Sequence, residues 1–118
     1  MTLTTTDPRT GRSNPTDLEV TAPDVVASLA ERAAAARDLL AAKGRIWRAG
    51  LLDALADALE ERRADLVSTA DGETGLGEGR LNGELTRSAF QFRLFAEALR
   101  DGGYLEATID HAGDTPMG

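Results

Sequence analysis

The sequence runs to 118 residues, 42% of them hydrophobic, with no cysteine, one histidine and a formal net charge of −7; that length is one domain or part of a larger one. The missing cysteine excludes disulfides, thiolate zinc ligands and a cysteine nucleophile within these residues, and a lone His111 excludes any mechanism that needs two imidazoles. Five of the seven net negative charges fall in residues 71–118, and an acidic chain without a basic stripe does not suit a nucleic-acid backbone.

Material for a core is modest. Of 49 hydrophobic residues, 20 are alanine and only 25 are Leu, Ile, Val or Phe, just above the range in which chains stay disordered. The five aromatics are Trp47, Phe90, Phe92, Phe95 and Tyr104. No apolar run reaches the roughly 18 residues of a membrane span. The opening Met1-Thr2-Leu3-Thr4-Thr5-Thr6 lacks the basic and apolar regions of a secretory signal. These features lead us to expect a cytoplasmic chain that binds neither membrane nor nucleic acid.

In chain order, residues 1–20 carry Asp7-Pro8, Thr10-Gly11 and Asn14-Pro15, turn signals that fit a short hairpin or an extended arm. A first helix opens at Thr21, with Pro23 in the first turn and Asp24 completing a Thr-x-x-Asp box. Val25, Leu29, Ala33, Ala36 and Leu40 recur at helical spacing to about Ala42, and Lys43 and Gly44 supply the stop. The stripe is mostly alanine, so this helix is expected to pack closely on another surface.

A second helix, without a clear cap, follows from about Ile46. Leu51, Leu52, Leu55, Ala58 and Leu59 form its stripe, with Asp53, Asp57 and Glu60 toward water. Arg62 and Arg63 interrupt the stripe, which resumes at Leu66, Val67 and Ala70. That predicts a break near residues 62–64 and a short third helix to Asp71; an unbroken helix with snorkelling arginines is the alternative. Residues 71–79, with four glycines, read as a loop. A last helix spans about Leu81 to Arg100 through Leu85, Ala89, Phe92, Phe95, Ala96 and Leu99, and Gly102 and Gly103 end it. The alternation in Tyr104–Asp110 predicts a strand, which needs a partner for its backbone groups.

Chemistry-bearing constellations are weak. Asp110, His111 and Asp114 are too few and too terminal for a metal site. The carboxylate pairs Asp53/Asp57 and Glu60/Glu61 read as solvated faces rather than an acid–base pair. Ser13, Ser68 and Ser88 have no histidine partner. The glycines of 71–79 do not make a phosphate cradle: no strand precedes them, no Lys-Ser/Thr follows, and Asp71, Glu73 and Glu78 would repel a phosphate. No residue of the chain is therefore assigned a catalytic, cofactor-binding or metal-binding role.

The order of the motifs matches a known family. Asp7-Pro8-Arg9-Thr10-Gly11 resembles the Asn-Pro-x-Thr-Gly opening of the aldehyde dehydrogenase superfamily, with Asp in place of the usual Asn. Residues 21–26 and the alanine-rich helix, then Arg48-Ala49-Gly50-Leu51-Leu52, Ala56–Glu60 and Arg63–Val67, resemble the segments that follow. Glu73-Thr74-Gly75 falls where the family has Glu-x-Gly. Together with Arg80–Leu85, Gln91–Ala96 and Gly103–Asp110, it is similar to a bacterial branch that prefers NADP and oxidises semialdehydes such as 2,5-dioxovalerate (2-oxoglutarate semialdehyde).

The resemblance implies an N-terminal piece of an α/β enzyme several hundred residues long. Residues 1–20 would be an arm or hairpin, 21–103 the helical part of an incomplete cofactor-binding domain, and 104–118 a strand leading toward the oligomerisation domain and then a truncated tail. The catalytic cysteine, the general-base glutamate and the NADP- or NAD-binding motifs would lie on the remainder of the chain, in a homo-oligomer. There the cysteine attacks the aldehyde, hydride passes to NAD(P)+, and water activated by the glutamate releases the acid. Taken alone the chain reads as mainly α, with three to four helices and one C-terminal strand, and as catalytically inactive without cofactor. A free-standing acidic helical module that binds a partner is the competing reading.

Overall fold

The structure, a computed structural model, describes residues 2–109. Two strands, β1 (Thr2–Thr6) and β2 (Ser13–Glu19), precede four helices, α1 (Pro23–Ala42), α2 (Arg45–Glu61), α3 (Arg63–Thr74) and α4 (Glu78–Asp101), and a 3-10 turn at Gly103–Leu105. The described chain is mainly α, as composition and periodicity led us to expect.

The strands pair antiparallel, with Thr6 opposite Ser13 and Thr4 opposite Pro15, and the register shifts between Thr2 and Thr4. The Thr16 hydroxyl donates to the Leu3 carbonyl at that irregularity (2.7 Å). Local chemistry builds the turn between them. The Asp7 carboxylate accepts the Arg9 N–H (2.9 Å) and the Thr10 hydroxyl (2.9 Å), an Asx turn, and Gly11 takes the left-handed φ of 68°. The Arg9 N–H and then the Thr10 hydroxyl hold the Asp7 carboxyl below its ordinary value. A depressed carboxyl stabilises the fold fully above its unfolded pKa of about 4, and that contribution is lost as pH falls through the lower folded value. The amide resonances of Thr10 and Gly11 are therefore expected to hold from neutral pH down to about 5 and to move only below about 4. A midpoint above 4 in an NMR titration would contradict this turn.

Helix α1 begins one residue later than the Thr-x-x-Asp box suggests. Its N-cap is Ala22, which makes no side-chain cap bond, and Pro23 occupies the first turn. With the cap at 22, the Thr21 hydroxyl lies outside the helix, and the Val26 N–H is met by the Ala22 carbonyl (3.1 Å). Gly44, expected as a stop, is instead the N-cap of α2, and Lys43 lies over the Trp47 ring at 5.2 Å. No residue of α1 is buried: Val25, Val26, Leu29, Leu39 and Leu40 all stand exposed. The surface expected against this stripe is absent from the described residues.

The core lies between α2 and α4. Arg45 at the start of α2 donates through Nη1 to the Leu99 carbonyl near the end of α4 (3.0 Å) and also reaches the Arg100 carbonyl, while Arg63 just beyond α2 reaches Asn82 near the start of α4. The helices are thus antiparallel, and the register sets Ala49 level with Ala96 and Ala56 level with Ala89. All four are fully buried; Val67 and Leu85 are the other buried residues among those described. Alanines seven apart lie on nearly the same line of a helix, so α2 and α4 meet along a seam of methyl groups.

The break after α2 falls at Arg62, whose φ of −99° and ψ of 13° leave helical geometry. Arg63 then turns inward instead of snorkelling. Its guanidinium donates to the Asn82 carbonyl (3.0 Å), the Asn82 side chain (3.2 Å), the Thr86 hydroxyl (3.1 Å) and Glu60. Arg63→Ala abandons every one of these bonds on a half-buried group, at an expected cost of about 2 kcal/mol; Arg63→Lys recovers only part, lacking the planar fork. Urea denaturation followed by circular dichroism checks this, and an unchanged midpoint for Arg63→Ala would show the cluster to be dispensable.

Two boundaries differ from expectation. Asp71–Thr74 continue α3 and Glu78–Gly79 already belong to α4, so the loop expected over 71–79 shrinks to residues 75–77. Gly75 and Gly77 there have positive φ (66° and 90°), and these two glycines alone reverse the chain. The strand expected over Tyr104–Asp110 does not form in the described residues: Gly103–Leu105 is a 3-10 turn and residues 106–109 have no regular structure. The two-stranded hairpin is the one sheet among the described residues, and residues 103–109 pair with neither of its edges. Asp110 and the rest of the tail lie outside the described residues.

The described chain is elongated. It measures 82 × 39 × 20 Å with a radius of gyration of 22.2 Å, against about 13 Å for a compact chain of this size. No helix among the described residues is long and apolar enough to cross a membrane.

Candidate functional site

The α2–α4 seam has two edges of opposite character. On α2, a turn of about 100° per residue puts Asp53, Asp57 and Glu60 to one side of the Ala49–Ala56 line and Leu52, Leu55 and Leu59 to the other. On α4 the same geometry splits Arg93 and Arg100 from Phe92, Phe95 and Leu99 about the Ala89–Ala96 line. Packing the helices antiparallel brings like edges together.

One edge is ionic. Arg93 Nη2 meets Asp57 Oδ1 at 2.9 Å, Arg100 pairs with Asp53, and Arg63 pairs with Glu60. The carboxylates expected to face water do stay at the surface, Asp57 with 65% of its side chain exposed, and there they meet the arginines of α4 and of the α2–α3 break. The sequence offered a signal for this: Arg93 and Arg100 are seven apart, as are Asp53 and Glu60, on helices already expected to be amphipathic. Carboxylates matched to guanidiniums serve as structural ties and are not poised as acid and base.

The other edge is an open apolar groove formed by three adjoining hollows. One of about 260 Å³ lies between α3 and α4 and includes Leu66, Ala70, Leu81 and Leu85. A second, of about 370 Å³, is lined by Leu55, Ala58, Leu59, Arg62, Leu66 and Phe92. The third, of about 410 Å³, has Leu52, Phe92, Phe95 and Leu99 around Gln91. Leu59, Leu66 and Phe92 are shared between neighbouring hollows, so the groove is continuous. Phe92, on the apolar stripe of the last helix, is only half-buried in the groove, and Phe95 keeps 61% of its surface exposed. A continuous run of half-exposed leucine and phenylalanine side chains of this kind is suited to an interface.

No other constellation is brought together. Ser13, Ser68 and Ser88 are exposed, and the Ser88 hydroxyl donates back to the Glu84 carbonyl (2.9 Å). His111 and Asp114 lie outside the described residues, among which no group of His, Asp or Glu could hold a metal. At the α3–α4 corner, the backbone N–H of Gly77 is taken by the Asp71 carboxylate (2.8 Å), and Asp71 is itself held below its ordinary pKa by Arg9 and then by that N–H. A dinucleotide pyrophosphate would have to displace this anion, so the glycines of this corner do not fit one.

The chain is 46% identical over 65 residues to alpha-ketoglutaric semialdehyde dehydrogenase 2 of Azospirillum brasilense. It is likewise 46% identical over 65 residues to alpha-ketoglutaric semialdehyde dehydrogenase of Acinetobacter baylyi. The matched segment covers 55% of this chain and 12% of each relative's length. No family model matches the chain. The names of both relatives coincide with the semialdehyde branch to which the motif order pointed. The chain therefore resembles the aldehyde dehydrogenase superfamily, on its alpha-ketoglutaric semialdehyde dehydrogenase branch.

Proposed function

We propose that the chain is the N-terminal structural portion of an NAD(P)-dependent aldehyde dehydrogenase that converts a semialdehyde of the alpha-ketoglutaric type to its acid, and that it does no chemistry by itself. The observation that carries this reading is the open apolar groove beside a fully tied ionic edge. A helical layer with one satisfied edge and one bare edge is built to be completed by further polypeptide, and both relatives are about eight times longer than the segment they share with this chain.

In this reading the described residues position and do not react. Ala49, Ala56, Ala89 and Ala96 keep α2 and α4 in register. The groove from Leu52 to Leu85 receives the rest of the enzyme, with its cysteine, its general base and its cofactor site. The absence of cysteine from the 118 residues agrees with a nucleophile carried elsewhere. A cytoplasmic homo-oligomer is the expected full assembly.

Complementation tests the proposal. The 118 residues by themselves should give no reduction of NAD+ or NADP+ with alpha-ketoglutaric semialdehyde. Co-expression with the Azospirillum relative lacking the segment that matches this chain should restore it. Turnover by the chain alone, or failure of the two pieces to associate, would sink the proposal. The competing reading, a free-standing interaction module, would show itself as a monodisperse chain that binds no dye for apolar surface and does not associate with the truncated relative.

A further inference from the structure

The hairpin turn meets the helical layer at the corner between α3 and α4. Arg9 reaches across with two bonds, Nη1 to the Asp71 carbonyl (3.2 Å) and Nη2 to Asp71 Oδ1 (2.7 Å). The same Oδ1 also accepts the N–H of Gly77 (2.8 Å), the N-cap residue of α4. One carboxylate oxygen therefore ties together the hairpin turn, the end of α3 and the start of α4. The approach is close: a Cβ on Gly75 would lie 3.0 Å from Cγ of Pro8 and 3.3 Å from Cγ of Arg9. None of these residues belongs to the alanine seam that pairs α2 with α4.

We propose that Arg9, Asp71 and Gly77 form a latch that seats the hairpin turn on Gly75 and holds the α3–α4 corner closed, and that its release frees the hairpin and the first turn of α4 together while α2 and the body of α4 stay paired. Two features make it a latch and not part of the core. The arginine side chain is 48% exposed and the aspartate 24%, and ion pairs in such surroundings are weak enough to open and close locally. The shared oxygen couples the two sides: losing Arg9 frees Asp71, 62 positions away, and leaves the Gly77 N–H on a carboxylate no longer anchored. This inference is independent of the dehydrogenase reading.

Hydrogen exchange on the full 118-residue chain at neutral pH tests it, with wild type, Arg9→Ala, Asp71→Asn and the double variant. In each single variant the amides of residues 2–19 and of Gly77 and Leu81 should exchange about threefold to fivefold faster, the size expected for a partly exposed ion pair. Those of residues 49–59 and 86–99 should be unchanged. The double variant should add little to either single one, because both break the same tie. The latch is overturned if the hairpin and the corner respond separately, if the effects add, if α2 and α4 accelerate equally, or if the wild type already exchanges freely at Gly77 and Leu81.

Discussion

Ala89→Leu is expected to separate α2 from α4 and to remove most of the cooperative helical structure of the chain. Ala89 has no exposed surface and lies level with Ala56, which has none either. Three extra carbons cannot enter a methyl-to-methyl seam without forcing the helix axes apart. Overpacking typically costs 1–3 kcal/mol, and roughly the upper end applies here because the displacement would also stretch the Arg93–Asp57 and Arg100–Asp53 pairs on the same seam. Ala54→Leu is the control: Ala54 is exposed on α2, where a surface change stays within about 0.5 kcal/mol. Thermal melts by circular dichroism compare the two. Equal melting temperatures would mean that the seam is not the core.

The second large effect separates the chain from the assembled enzyme. Phe92→Ala is expected to cost the 118-residue chain about 1 kcal/mol, because the ring is only half-buried and its transfer out of water is incomplete. Once the groove is covered, the same change should cost about 3–5 kcal/mol, the range for deleting a buried aromatic. Phe95→Asp sharpens the contrast. At 61% exposure an aspartate there is solvated in the isolated chain and should improve its solubility, whereas under a covering surface it becomes an unpaired buried charge. The measurement is recovery of complemented dehydrogenase activity beside the melting temperature of the chain alone. Equal effects of Phe92→Ala in both settings would show that nothing covers the groove.

Much of the secondary structure was legible because its causes are local. Asp7-Pro8 and Gly11 announce the hairpin turn through side-chain bonds within four residues. Gly102, with φ 75°, ends α4 as a left-handed cap and is visible as a glycine after a periodic run. The interruption of the leucine stripe at Arg62 and Arg63 correctly marked the break between α2 and α3, yet the reason for it was not visible: the carbonyl and hydroxyl that Arg63 meets belong to residues 19 and 23 positions further along. The misreadings share that origin. A Thr-x-x-Asp box does not reveal that the helix starts one residue on, and a glycine-rich stretch does not reveal that only residues 75–77 leave the helix. Partial alternation in Tyr104–Asp110 carries no ladder, because pairing depends on a neighbour the described residues do not contain.

The functional surface divides in the same way. Periodicity located the stripe Leu52, Leu55, Leu59 and its counterpart Phe92, Phe95, Leu99, and the motif order pointed to the semialdehyde dehydrogenase branch that the relatives then matched. By itself the sequence determined three to four helices, their polarity and the scarcity of large apolar side chains, since propensity, capping and spacing act within a few residues. Only the tertiary structure decided that alanines make the contact while most of the leucines and phenylalanines stay partly open, and that the acidic residues of α2 meet arginines at the surface. The physical reason is that a stripe records which side of a helix avoids water but not what lies against it. Methyl groups allow the closest helix approach, so the small residues take the seam and the large ones are left for a surface still to be covered.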